Sequence, residues 1–88
     1  MDTQRIINVT KFDERHDIPT TANRIGANEI RFDFASPNLV IFDLSSITAK
    51  KEGDLVNLYS PVIPQPLRKG EIFEQLKPWA EELFRNKE

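Results

Sequence analysis

The spacing of apolar residues changes once along this chain, from near-alternation in the first two thirds to a helical period at the end. From Gly70 to Asn86, taken at 100° per residue, Ile72, Phe73, Leu76, Trp79, Ala80, Leu83 and Phe84 fall on one arc of about 140°. Glu71, Glu74, Gln75, Lys77, Glu81, Glu82 and Arg85 fill the rest of the circle. The pattern predicts a helix with one face on a core. Pro78 would cost about 3 kcal/mol in a helix interior, but it sits on the polar arc, so either one kinked helix or two abutting ones is expected.

Upstream, the pattern predicts strands. Arg5–Phe12 carries Ile6, Ile7, Val9 and Phe12 in partial alternation with polar residues. Asn28–Ala35 alternates cleanly, with Ile30, Phe32 and Phe34 on one side and Glu29, Arg31 and Asp33 on the other. Ser36-Pro37-Asn38 reads as a tight turn, and Leu39–Leu44, apolar in both parities, reads as a central strand covered on both faces. Lys50–Asp54 reads as a second turn and Leu55–Tyr59 as a fourth strand. Between the first two strands, Asp13–Ala27 holds Ile18 and Ile25 as its only large apolar residues. It reads as a loop, or as a short helix opening at Pro19 and running over Thr20–Ile25. Pro61, Pro64 and Pro66 mark Ser60–Pro66 as an extended crossover into the helix, and Pro61–Pro64 matches the minimal P-x-x-P spacing without a flanking basic residue.

The expected fold class is therefore α+β: one domain over residues 1–88, with a mainly antiparallel sheet of three to four strands and the helix packed on one face. At 88 residues such a chain buries only about 60–65% of its unfolded surface. The margin for stability is thin. No cysteine is present, which excludes disulfides, thiolate nucleophiles and Cys-type zinc sites, and fits a cytoplasmic setting. The start of the chain lacks the basic and apolar regions of a secretory signal, and Leu39–Phe42 is far short of the roughly 20 apolar residues of a membrane span. Twelve basic against fourteen acidic side chains give a net charge of −2, so no broad phosphate-attracting field is expected.

Candidate chemistry is sparse. His16, the single histidine, forms an i, i+3, i+4 set with Asp13 and Asp17 that would present ligands together only on a helix. Asp43, near the end of the expected central strand, is a candidate carboxylate, with Asp33 as its neighbour across the hairpin. The hydroxyls of Ser36, Ser45, Ser46 and Ser60 lie in no nucleophile elbow, and Gly26, Gly53 and Gly70 are too dispersed to cradle a nucleotide. Arg68, Lys69 and Gly70 precede the helix and form a candidate anion site, because free N–H groups and the dipole favour negative charge there. Lys50, Lys51, Arg68 and Lys69 would be the phosphate contacts of a nucleic-acid-binding protein.

The run Asn38–Ile47 resembles the central strand of STAS domains, the anti-sigma-factor antagonist family, over ten residues. That resemblance implies a phosphoacceptor serine in an Asp-Ser-x-Gly turn, where this chain has Thr48–Gly53, so membership does not follow. What remains is a small non-enzymatic regulatory or accessory protein without cofactor or metal, acting on a protein partner or as a homodimer. Leu39 and Ile41 are its candidate contacts, as apolar strand residues that one terminal helix cannot cover. A nucleic-acid-binding protein is the first alternative, and a small enzyme centred on His16 or Asp43 the second.

Overall fold

The computed structural model describes residues 3–11, 13–35, 46–61 and 64–85. Five strands, β1 (Gln4–Lys11), β2 (Glu14–Gly26), β3 (Glu29–Phe34), β4 (Ser46–Glu52) and β5 (Leu55–Tyr59), precede one helix, α1 (Glu71–Arg85). The strands form a single antiparallel meander in the order β1-β2-β3-β4-β5. Both edge strands and β4 contact α1, so the sheet curls around the helix.

Alternation explains which face the helix takes. Ile7 and Val9, then Ile18, Thr20 and Ala22, Ile30, Phe32 and Phe34, Ile47 and Ala49, and Val56 and Leu58 are all buried on the concave side. Leu76, Trp79, Ala80, Leu83 and Phe84 of α1 meet them, with Leu67, Ile72 and Phe73 packed at the margin. Trp79 lies at the centre, its ring 4.9 Å from that of Phe32 at an interplanar angle of 48°. Pro78 is exposed, and α1 runs through it as one helix, so the polar arc accommodates it.

The expected loop at Asp13–Ala27 is instead a strand of thirteen residues, and the sheet has five strands rather than three to four. Pro19 is tolerated for a positional reason. The β2–β3 register begins at Thr20↔Phe34, so Pro19 sits just beyond the end of that ladder, where its carbonyl still accepts from Ala35 N–H. β1 pairs with the first half of β2 and β3 with the second, which is why β2 is long. Between Arg24 and Gly26 the register shifts by a bulge that carries Ile25.

Of the turn expected at Lys50–Asp54, only Gly53 and Asp54 turn; Lys50, Lys51 and Glu52 belong to β4. Gly53, at φ 67°, opens the two-residue β4–β5 connection, a position where a Cβ is costly. β3 is central, flanked by β2 and β4. The expected central strand Leu39–Leu44 lies outside the described residues.

Gly70 adopts φ 114° and its carbonyl accepts from Glu74 N–H at 2.9 Å, which places it at the helix N-cap. Two guanidinium groups fasten α1 to the sheet. Arg5 of β1 lies 5.1 Å from the Trp79 ring centroid and pairs with Glu82 at 2.9 Å. Arg24 of β2 donates to the Leu83 carbonyl at 3.0 Å and lies over Phe84, placing a cation at the C-terminal end of the helix dipole.

Candidate functional site

With the concave side filled by α1, the described strands turn most of their polar side chains to the opposite face. The same alternation that buries Ile30, Phe32, Ile47, Ala49 and Leu58 turns Glu29, Arg31, Asp33, Ser46, Thr48, Lys50, Glu52, Asn57 and Tyr59 outward. No described element crosses this face.

Cross-strand registers hold its side chains in two groups. On β2 and β3, Asp33 accepts from Asn23 Nδ2 at 2.7 Å and pairs with the Arg31 guanidinium at 3.0 Å. On β4 and β5, Glu52 Oε1 accepts from Asn57 Nδ2 and from the Tyr59 hydroxyl, the latter at 3.0 Å, while the Lys50 ammonium lies 5.2 Å from the Tyr59 ring centroid. The Asn57 bond first, then the Tyr59 bond and the Lys50 charge, hold the Glu52 carboxyl below its ordinary range. The same bond, with lesser contributions from desolvation and the Glu52 charge, raises the Tyr59 hydroxyl above its usual value.

Arg31 and Lys50 face three carboxylates, Glu29, Asp33 and Glu52, so positive charge does not dominate the surface. A phosphate backbone would meet as much repulsion as attraction there. Ile6, Ile25 and Leu55 are 62%, 47% and 64% exposed, but they lie on three different strands, and Ile25 is six residues along β2 from Pro19, the partner of Ile6. They form no continuous apolar patch. A shallow hollow of about 470 Å³, lined by Gln4, Ile6, Pro19, Thr21 and Ala35, opens where β1 and β2 pair.

The candidates named from sequence are scattered. His16 lies in β2 opposite Val9, with Asp17 on the other face and Asp13 in the preceding turn at φ 61°, so extended backbone separates what a helix would have gathered. Among the described residues no cluster of three metal-ligating side chains occurs. Lys50 faces outward, whereas Lys51 takes the inward parity beside Phe84 and Arg85 at the end of α1. Arg68 and Lys69 stand exposed before the helix start, so the basic pairs are separated by the length of a 15-residue helix, about 22 Å. Glu71 and Glu74 already occupy the first turn beside Arg68, Lys69 and Gly70, supplying the negative charge that the dipole favours. Ser46 pairs with Asp33 across β3–β4, and Ser60 is buried. Thr48–Glu52 continues β4, where the STAS resemblance would have placed a phosphoacceptor turn. Leu39, Ile41 and Asp43 lie outside the described residues.

The residues that sequence reasoning missed are Asn23, Asn57, Tyr59 and Glu52. Asn23 and Glu52 lie on β2 and β4, whose sequences do not read as strands; Asn57 and Tyr59 lie on β5, whose sequence does, but their partner Glu52 reads as part of a turn.

No protein-family model matches the chain, and neither a curated protein nor a solved structure is significantly similar to it. No described helix is long and apolar enough to cross a membrane.

Proposed function

We propose that this chain is a small non-enzymatic regulatory or accessory protein of the cytoplasm that docks on a protein partner, or on a second copy of itself, through the solvent-facing side of its sheet. One observation carries the reading. Each strand turns its buried apolar residues toward α1, which leaves an outward lattice in which Asn23 bonds Asp33 and Asn57 and Tyr59 bond Glu52 across strands, with Arg31 paired to Asp33 along β3 and Lys50 over the Tyr59 ring. Tyrosine and arginine held on a rigid scaffold lose little entropy on contact and supply both apolar area and hydrogen bonds, which is why protein interfaces are enriched in them. The near balance of charge suits a protein surface of mixed sign better than a polyanion.

Two lysines serve as reporters of this surface. Lys50 lies on the outward face of the sheet, and Lys77 lies on the helix 5.7 Å from the Phe73 ring centroid, away from that face. Amine cross-linking of the protein in extract of its own cell, read by mass spectrometry, should yield inter-chain links from Lys50 and none from Lys77. Links from Lys77 alone, or no inter-chain link at either lysine, contradict the proposal.

A further inference from the structure

We infer that Gln75 and Glu71 make α1 a surrogate sixth strand, which occupies the open edge of β1 and keeps a second copy of the chain from pairing there. The inference does not depend on the reading of the outward face. An edge strand presents backbone N–H and C=O groups that a second chain can pair with, and natural sheets blunt or cover such edges. In β1, the backbone groups of Asn8 and Thr10 point away from β2. The Gln75 carboxamide meets both groups of Asn8: Oε1 accepts from Asn8 N–H at 2.8 Å, and Nε2 donates to Asn8 C=O at 2.6 Å. A carboxamide carries the same donor and acceptor as a peptide, so this pair reproduces what an antiparallel neighbour would offer. The Glu71 carboxylate accepts from Thr10 N–H at 3.0 and 3.2 Å.

The match is one of repeat lengths. Residues four apart on a helix are separated by about 6 Å along its axis, and residues two apart on a strand by about 6.8 Å. Glu71 and Gln75 therefore stay in step with Thr10 and Asn8 as the helix runs antiparallel to β1. The next residue on that stripe is Trp79, whose ring is in the core against Phe32. The other edge is treated differently: Leu67 N–H from the crossover donates to Leu58 C=O of β5 at 2.8 Å.

Gln75→Met keeps length and helix propensity but removes both bonds, and Glu71→Ala removes the third. The double variant and each single variant should be compared with wild type by amide hydrogen exchange at Asn8 and Thr10 and by sedimentation velocity over a concentration series. The exposed Glu74→Ala serves as a helix-surface control. Asn8 exchange should rise about tenfold or more in Gln75→Met. The double variant should form a larger species, absent from wild type and from the control, that grows with concentration. Adding Asn8→Pro, which deletes the edge N–H, should abolish that species. Should the double variant fail to fold by circular dichroism, the Gln75→Met variant decides on the same two readouts. Unchanged exchange at Asn8, or sedimentation identical to wild type at every concentration, overturns the inference.

Discussion

The two faces of this sheet are built from the same five strands by the same alternation, yet they differ in what holds them. The concave face is apolar at its centre and is sealed by one helix, with Trp79 against Phe32. The outward face is largely polar and is held by bonds between neighbouring strands, Asn23 to Asp33 and Tyr59 to Glu52. Burial of large side chains contributes kilocalories each, whereas exposed polar pairs contribute tenths. Folding therefore rests on one face, and the residues of the other contribute little to stability.

The largest expected break of that contrast is Trp79→Ala. Removing a fully buried aromatic at the centre of the core should cost about 3–5 kcal/mol, out of a total of about 5–15 for a domain of this kind. Tyr59→Ala on the outward face should cost less than about 1 kcal/mol, and urea unfolding of the two variants measures the difference. Next is Gly70→Ala. At φ 114° a Cβ strains the backbone although space around it is open, so a loss of about 1–3 kcal/mol is expected by the same measurement. Arg24→Ala should cost about 1 kcal/mol, because it removes the bond to the Leu83 carbonyl and the cover over Phe84 at the end of the helix.

The smallest effect sharpens the outward side. Glu52→Gln should bring the Tyr59 titration, followed by ultraviolet absorbance, down toward the ordinary phenol value. In the wild type the lowered carboxyl pKa of Glu52 adds stability above the ordinary carboxylate range, lost as pH falls through the folded-state value. The raised Tyr59 pKa adds stability below about 10, lost as pH rises through its folded value. Both contributions are small, because the groups are exposed to solvent.

How much of this was legible depended on which residues occupy the inward positions. The helix and β3 were readable because their buried stripes are made of large apolar residues, Leu76 to Phe84 and Ile30 to Phe34. β2 was not, because its inward positions carry His16, Thr20, Ala22 and Arg24 around a single Ile18, and Pro19 argues against a strand unless the length of its neighbour is known. Thr20 can be buried there because its hydroxyl donates to the Ile18 carbonyl, a local bond that no hydrophobic period records. β4 was not readable as a strand because Ile47 and Ala49 are its only buried apolar residues and the Lys50-Lys51-Glu52 run resembles a turn. The β1 edge guard was invisible for another reason. Glu71 and Gln75 fall on the polar arc of the helix, and only the identity of the adjacent strand turns a solvated pair into a set of backbone partners. Of the expected site residues, those on strands were dispersed by period-two alternation, as with His16 and Asp17 or Lys50 and Lys51.

The division between a folding face and a recognition face is tested most directly by the double variant Arg31→Ala/Tyr59→Ala. Its size distribution in extract of the native cell is compared with that of wild type by size-exclusion chromatography. The variant should unfold within about 1 kcal/mol of wild type and elute as a free chain, while the wild type elutes in a larger assembly. Coelution of the two proteins, whether both free or both assembled, would contradict the assignment of recognition to this face.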